Sequence, residues 1–153
     1  MSIENARAHL ARHGFEDRVM ELDVSSATVA LAAQALGCEP ARIAKTLSFE
    51  RGDGAILILA AGDARIDNPK FKAAFGMKAR MLPAERVEAL IGHGVGGVCP
   101  FGIHEGVPVY LDESLRRFDV VYPAAGTAAS AVRLTVEELE RASEACGWVD
   151  VTK

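Results

Sequence analysis

The sequence predicts an α+β fold with a mixed, strongly curved β-sheet. Short strand-like segments interleave irregularly with helical ones, without the regular strand–helix–strand repetition of a doubly wound fold. Residues 55–61 (AILILAA) are apolar on both faces, which is typical of a central strand. Thr135 and Glu138 form a capping box, which predicts that a helix begins there. The length of 153 residues suits one free-standing domain over residues 1–153.

Two helices are predicted before the first long strand. The first spans residues 2–13. The second is capped by Ser25 or Ser26, carries apolar residues at helical spacing and ends at Gly37. Residues 18–22, between the two helices, are expected to be extended.

The strand predicted for residues 43–50 contains an unusual charge. Lys45 shares a face with Ile43, Leu47 and Phe49, and that face is otherwise apolar. Because burying a lysine without a partner is unfavourable, two arrangements are open. The side chain snorkels from a strand end to water, or its ammonium points into a pocket and holds an anionic or carbonyl oxygen.

Two further helices are predicted in the middle of the chain. One is capped by Asp67 or Asn68 and places Ala74 and two phenylalanines on its inner face. The other spans residues 83–91. Short strands are predicted beyond it, at residues 107–111, 119–122, 129–134 and 148–151. The capping-box helix precedes the last strand and is expected to end near Gly147.

Composition excludes several classes of function. A formal net charge of −4 argues against a general nucleic-acid binder, although it leaves room for an enzyme that touches one end of a nucleic acid. No apolar run approaches the roughly 18 residues of a membrane span, and the N-terminus lacks the apolar core of a secretory signal. We therefore expect a cytoplasmic protein without membrane association.

No metal or other cofactor is expected. The three cysteines are scattered and form no CxxC pair, so neither a disulfide framework nor a zinc site is indicated. His9 and His13 are spaced to share a metal on one helix face, but no third ligand is near them in the sequence.

A glycine-rich loop, residues 92–103 (GHGVGGVCPFGI), contains five of the 14 glycines. It lacks the GxGxxG and GKS/T patterns of nucleotide-phosphate loops. It is therefore either a mobile connection or a wall whose backbone N–H groups approach a ligand. Cys99 lies between His93 and His104, which raises a further hypothesis, a thiol nucleophile.

The segment from residue 65 to residue 80 is locally basic. Five cations stand against the single acidic residue Asp67, and they are Arg65, Lys70, Lys72, Lys78 and Arg80. Such a segment is either a solvated helix face or a patch that contacts phosphates.

Several motifs together resemble the YbaK / prolyl-tRNA synthetase-associated editing domains. In family order these are SSATVALAAQALGCEPARIAKTL with its Lys45, AGDARIDNPKFKAAFG, GVGGVCPFGI, VPVYLDESL and VYPAAGTAASAVRLT. The third contains the GxxxP element of the family from Gly96 to Pro100. The motifs cover nearly the whole chain. The resemblance implies a curved, barrel-like mixed sheet surrounded by helices.

The resemblance also implies an activity, hydrolysis of the ester that joins a wrong amino acid to tRNA. The expected partner is the acceptor end of mischarged tRNA, most often tRNA for proline, with transient encounters with prolyl-tRNA synthetase or an elongation factor. Lys45 would anchor the 3′-terminal adenosine. Backbone N–H groups of Gly96, Gly97 and Val98, in a loop stiffened by Pro100, would bind the aminoacyl group and a developing oxyanion.

Matched motifs also imply a substrate pocket, formed by Ser26, Thr28, Val29, Ala32, Gly126 and Ser130. The cysteine-editing branch has a loop nearer to RGGCSPIG than to the GVGGVCPFG of this chain. The expected amino acid is therefore alanine, serine, threonine, 2-aminobutyrate or cysteine, and the loop sequence favours the first four over cysteine. Two alternatives stay open, a binding module that does not hydrolyse aminoacyl-tRNA and a thiol hydrolase that uses Cys99.

Overall fold

The computed structural model describes residues 2–153. Within them it contains five α-helices, which are α1 (Ser2–Arg12), α2 (Val29–Leu36), α3 (Asn68–Phe75), α4 (Ala84–Ile91) and α5 (Val136–Ala142). The strands are β1 (Val19–Glu21), β2 (Ala44–Arg51), β3 (Gly54–Ala61), β4 (Val109–Asp112), β5 (Val120–Val121), β6 (Ser130–Val132), β7 (Leu134–Thr135) and β8 (Gly147–Val149). None of these helices has the length and apolar character needed to cross a membrane.

A four-stranded mixed sheet forms the centre of the fold, with the strand order β2-β3-β4-β8. β2 and β3 are antiparallel, whereas β4 is parallel to both β3 and β8. The predicted α+β class and mixed sheet are thus confirmed. The barrel-like closure is not seen in residues 2–153, because β1 pairs only with β6 and β5 only with β7, in two separate small sheets.

Strand β3 is buried on both faces, as its apolar sequence predicts. Leu57 and Leu59 face the main core, which the apolar residues of α1, α4 and α5 complete. Ile56 and Ile58 face a second core with Phe71 of α3. Because successive side chains of β3 point to opposite faces, this one strand packs against both apolar cores and the central sheet lies between them.

The predicted cap of α2 and the predicted inner face of α3 are wrong in part. The cap of α2 is Thr28, whose Oγ1 accepts a hydrogen bond from Leu31 N at 3.1 Å, rather than Ser25 or Ser26. The Ser25 hydroxyl instead accepts from Ala27 N and shapes the turn before the cap. In α3, Ala74 is exposed, because only Phe71 and part of Phe75 reach the second core.

The C-terminal helix begins as predicted and ends early. Both hydrogen bonds of the Thr135–Glu138 capping box are present. The helix stops at Ala142 rather than near Gly147, because Glu144 adopts a left-handed conformation with φ 53° that redirects the chain into β8.

Asp112, at the end of β4, fastens the C-terminal segment to the central sheet. Its buried carboxylate accepts hydrogen bonds from Val151 N at 2.9 Å and from Thr152 Oγ1 at 2.7 Å. It also accepts from Ser114 N at 2.9 Å. Without the carboxylate, each of these donors would lose its hydrogen-bond acceptor.

We predict that Asp112→Ala destabilises the fold by about 3 kcal/mol or more, since buried donors lose their acceptor. Urea unfolding followed by circular dichroism measures this loss. Asp150→Ala is the matched control, because its partly exposed carboxylate pairs with Lys70 at 3.1 Å on the surface and should change the unfolding free energy by less than about 1 kcal/mol. Equal effects of the two substitutions would contradict the assignment.

Candidate functional site

A cavity of about 300 Å³ lies between α2, β2 and the glycine-rich loop. This volume is at the lower end of the range for small-ligand pockets. Most of the residues implied for the site line it, namely Ser26, Thr28, Val29, Ala32, Lys45, Gly96, Val98 and Ser130. Segments separated by up to a hundred positions in the sequence therefore meet around one concave space.

Lys45 lines this cavity and its ammonium is held by backbone oxygens. Nζ donates to the carbonyl of Gly62 at 3.4 Å and to the carbonyl of Ala64. The side chain is half-buried, and burial lowers the pKa of Lys45, while the Asp63 carboxylate opposes this shift. Gly62 abuts Val29, since a Cβ built on it would lie 2.8 Å from Val29 Cγ1. The ammonium is therefore fixed beside the first turn of α2.

The glycine-rich loop forms the opposite wall through its backbone. Gly96 has φ 93°, a conformation that favours glycine, and it lines the cavity together with Val98. Gly97 lies behind this wall, where a Cβ would approach the carbonyl carbon of Gly126 to 2.6 Å. Only glycine fits at Gly97 without moving the backbone of the neighbouring turn.

Of the three amides proposed from the sequence, one is already used within the loop. Gly97 N donates to Gly94 O at 3.1 Å. No backbone carbonyl within residues 2–153 accepts from the amides of Gly96 and Val98. These two N–H groups, which belong to lining residues, are the ones that a ligand oxygen can use.

Helix α1 braces the glycine-rich loop at both ends. At its start, Ser2 Oγ donates to Gly92 O at 3.3 Å. At its end, Gly102 N donates to His9 Nδ1 at 3.0 Å, and a Cβ on Gly102 would lie 2.4 Å from Asn5 O. The loop is therefore a supported wall rather than a mobile connection.

Three implied residues lie outside the cavity lining. Gly97 and Gly126 face each other behind it, and Gly126 packs against Ser2, where a Cβ would lie 2.7 Å from Ser2 O. Pro100 lines a second, more polar cavity on the side of His9 and Glu144. These three residues set the shape of the loop instead of facing the space that it encloses.

The hydroxyl of Ser130 is fully engaged in a turn. Its Oγ accepts hydrogen bonds from Ala125 N and Thr127 N, both at 3.2 Å, and donates to Thr127 O at 3.1 Å. A hydroxyl has one donor and two acceptor positions, so none is left for a ligand. Ser130 holds the turn that faces Gly97.

Two polar lining residues, Thr46 and Ser48, were not predicted as site residues. They lie on the face of β2 opposite to that of Leu47 and Phe49, which pack in the second core. The signal was present in the sequence, since this face of the predicted strand alternates small and polar residues. Thr46 Oγ1 is buried and has no hydrogen-bond partner within residues 2–153.

The basic segment lies on the surface and does not contribute to the cavity lining. All five cations are exposed, and Lys70 is occupied by Asp150 at 3.1 Å and by Thr152 O at 2.8 Å. Its C-terminal end leads to the cavity, because Arg80 directly precedes the lining residue Met81. A ligand that enters the cavity from this side would pass the exposed cations.

Cys99 has an environment unsuited to nucleophilic catalysis. The residue is completely buried in the main core, and burial raises the pKa of its thiol to about 12. His93 Nε2 lies 3.4 Å from Sγ but only 2.6 Å from Phe101 O, to which it donates. The thiol therefore remains protonated and has neither a base nor access to a substrate.

His9, His13 and Glu144 come close together, but their hydrogen bonds argue against a metal site. His13 Nε2 and His9 Nε2 lie 3.2 and 3.3 Å from Glu144 Oε2. His9 Nδ1 accepts from Gly102 N, so Nε2 carries the proton and donates to Ala142 O at 2.6 Å. A metal bound at Nε2 would move the imidazole proton to Nδ1. Both the hydrogen bond to Ala142 O and the one from Gly102 N would then be lost. His9 is a structural link between α1, α5 and the glycine-rich loop.

Comparisons with known proteins agree with this geometry. The family model described as aminoacyl-tRNA editing domain matches residues 24–142. YwhH of Bacillus subtilis (strain 168), an uncharacterized protein, is 49% identical over 154 residues, which cover 100% of this chain and 98% of YwhH.

Two further relatives carry functional descriptions. EbsC of Enterococcus faecalis, a candidate Cys-tRNA(Pro)/Cys-tRNA(Cys) deacylase, is 30% identical over 109 residues, 70% of this chain and 66% of EbsC. The crystal structure of a candidate trans-editing enzyme for prolyl-tRNA synthetase superimposes with a TM-score of 0.89 at 35% identity, covering 99% of this chain and 97% of that one. The chain belongs to the aminoacyl-tRNA editing domain family.

Proposed function

We propose that this chain, acting as a single cytoplasmic domain, is a trans-editing deacylase. It hydrolyses the ester between a small non-cognate amino acid and tRNA for proline. The observation that carries the proposal is the cavity lined by Lys45, Gly96 and Val98, the last two with amides that no backbone carbonyl within residues 2–153 accepts, in a chain of the editing-domain family. The descriptions of EbsC and of the structural neighbour support the choice of tRNA.

The size of the cavity suits a sieve for small aminoacyl groups. At about 300 Å³ it is far too small for the tRNA duplex, so we expect only the end of the acceptor strand to enter it. A synthetase site for proline rejects an amino acid that lacks a methylene by only about 1–3 kcal/mol. A second site that admits small side chains and excludes proline provides the remaining discrimination.

In the proposed mechanism the chain positions the ester and stabilises charge. The Lys45 ammonium, fixed at Gly62 and Ala64, turns one of its donors to a phosphate or ribose oxygen of the terminal adenosine. The amides of Gly96 and Val98 donate to the ester carbonyl oxygen and to the oxyanion that develops from it. Their placement in a braced loop means that little reorganisation accompanies the reaction.

No carboxylate or histidine lines the cavity among residues 2–153. A general base from the protein is therefore not invoked. The neighbouring ribose hydroxyl of the substrate positions the attacking water, which adds to the ester carbonyl carbon. The bond from this carbon to the ribose oxygen then breaks, and that oxygen receives a proton. The products are the free amino acid and the uncharged tRNA.

The surface around the cavity fits an incoming nucleotide strand. Met81 and Val95 at the rim are 58% and 67% exposed, and they offer apolar surface to unstacked bases. The basic segment ending at Arg80 provides cations for the phosphates of the acceptor end. Because the net charge of the chain is −4, we expect the tRNA to contact mainly this region. Encounters with prolyl-tRNA synthetase or an elongation factor are expected to be transient.

The proposal is tested by a deacylation panel. Purified protein is offered tRNA for proline charged with alanine, serine, threonine, 2-aminobutyrate, cysteine or proline, and alanine on its own tRNA. We expect rapid hydrolysis of at least one small non-cognate ester on tRNA for proline, with prolyl-tRNA spared. Binding of these tRNAs without hydrolysis would instead identify a non-catalytic binding module.

In the same panel, Lys45→Ala is expected to reduce the rate constant of deacylation by about a hundredfold or more, because the substrate loses its anchor. Lys153→Ala, an exposed lysine outside the cavity lining, is the matched control and should keep the wild-type rate. Circular dichroism confirms that both variants are folded. Full activity of Lys45→Ala would contradict the mechanism.

Alkylation of the native protein distinguishes a thiol mechanism that uses Cys99 from the proposed mechanism. At pH 8 we expect iodoacetamide to modify the exposed Cys146, whereas Cys99 stays unmodified because it is buried and its pKa is raised to about 12. Mass spectrometry of tryptic peptides measures both sites. Rapid loss of deacylase activity together with modification of Cys99 would restore the thiol hypothesis.

A further inference from the structure

Thr46 carries the one cavity-lining hydroxyl that the structure leaves buried and without a partner within residues 2–153. A buried hydroxyl without a hydrogen bond is destabilising, because it has lost its hydrogen bonds to water and gained none in the protein. The strand cannot shift to relieve it, because β2 pairs with β3 over eight consecutive residues and Thr46 lies opposite Leu59. This oxygen is therefore buried beside the cavity and forms no hydrogen bond within residues 2–153.

Three of the other hydroxyls that line the cavity are engaged, whereas those of Ser48 and Tyr122 have no hydrogen-bond partner within residues 2–153 but are not fully buried as Thr46 Oγ1 is. Ser130 uses all of its positions in the turn of residues 125–130. Thr28 Oγ1 caps α2 through Leu31 N, and Ser26 Oγ donates to Ser130 O at 3.4 Å. By contrast, turning the Thr46 hydroxyl into the cavity about χ1 breaks no hydrogen bond.

We propose that Thr46 is a specificity-determining residue that binds a hydroxyl on the side chain of the aminoacyl group. This inference rests on the proposed deacylase function and narrows its substrate to seryl and threonyl esters. A hydroxyl is both a donor and an acceptor, so the side-chain hydroxyl of a seryl or threonyl group can either donate to the Thr46 hydroxyl or accept from it.

The α-ammonium of the substrate is the weaker candidate for this contact. No Asp or Glu lines the cavity among residues 2–153, whereas Lys45, held at the carbonyls of Gly62 and Ala64, contributes a positive charge to its lining. A second cation next to Thr46 would be repelled, whereas a neutral hydroxyl is not. The surrounding lining, which includes Val29, Ile43 and Ala44, is apolar and suits the short carbon skeleton of a small amino acid.

The proposed contact would distinguish seryl and threonyl esters from esters of amino acids without a side-chain hydroxyl. An alanyl or 2-aminobutyryl group has no hydroxyl, so Thr46 stays without a partner when the cavity is filled. Sites built to hydrogen-bond a substrate hydroxyl reject analogues that lack it much more strongly than apolar pockets reject a missing methylene. The wild-type protein should therefore prefer seryl to alanyl esters on the same tRNA.

The test compares kcat/KM for seryl and alanyl esters of one tRNA in the wild-type protein, Thr46→Val and Thr46→Ser. Thr46→Val keeps the shape of the side chain and removes its hydroxyl. We expect this variant to reduce the seryl-to-alanyl ratio by roughly tenfold or more, mainly through loss of seryl activity. Thr46→Ser, which restores a hydroxyl, should return the ratio to within a few-fold of the wild-type value.

The melting temperature supplies a second readout. Thr46→Val should melt at the wild-type temperature or above, because an unsatisfied buried hydroxyl is removed. Ser143→Ala is the matched control outside the cavity lining, since its buried hydroxyl donates to Glu140 O at 3.3 Å. That variant should melt at a lower temperature and leave the seryl-to-alanyl ratio unchanged.

The possible results distinguish a failure of the proposed role of Thr46 from a failure of the proposed deacylase function. A wild-type protein that hydrolyses none of the esters would overturn the proposed function. A wild-type protein that hydrolyses both esters, with Thr46→Val changing the two rate constants by the same factor, would overturn the role of Thr46 alone. A fall in the melting temperature of Thr46→Val, matching that of Ser143→Ala, would show that the hydroxyl has a structural role instead.

Discussion

The support that α1 gives to the glycine-rich loop is the constraint on which the cavity depends. Ser2 holds the start of the loop at Gly92, and His9 holds its end at Gly102. Between these points the backbone of Gly97 packs directly against that of Gly126, which restricts the conformation of the loop. Glycine is needed because backbone approaches backbone, and the flexibility suggested by the composition is removed by packing. The loop thus presents the amides of Gly96 and Val98 at fixed positions.

The facing wall is fixed by the pairing of β2 with β3. Consecutive strand residues point to opposite faces, so the same pairing directs Leu47 to the second core and Thr46 and Ser48 to the cavity. The Lys45 ammonium reaches the carbonyls that follow β3 and stays beside α2. The sheet therefore holds the Lys45 ammonium and the Thr46 hydroxyl in largely apolar surroundings. Hydrogen bonds to a ligand are stronger in such surroundings than in water.

Local chemistry in the sequence predicted much of the fold. The apolar alternation of β3, the glycine that ends each of α2, α3 and α4, and the capping box of α5 depend on neighbours within a few positions. The cap of α2 was assigned to the wrong residue because Ser25, Ser26 and Thr28 compete locally and the tertiary turn decides among them. The cavity brings together α2, β2 and the loop over long separations, so the engagement of Ser130 and the isolation of Thr46 could not be predicted from the spacing of residues alone.

Binding of the aminoacyl end of tRNA in the cavity bounded by β2 and the glycine-rich loop is what the proposed function requires. It is tested most directly by titrating isotopically labelled protein with a stable amide analogue, 3′-seryl-amino-3′-deoxyadenosine, and following backbone amide signals by NMR. We expect saturable shifts concentrated at Thr46, Gly96 and Val98, and we expect the analogue to cause no such shifts in Lys45→Ala. Shifts concentrated instead at the second cavity, around His9 and Glu144, or no saturable shifts, would contradict it.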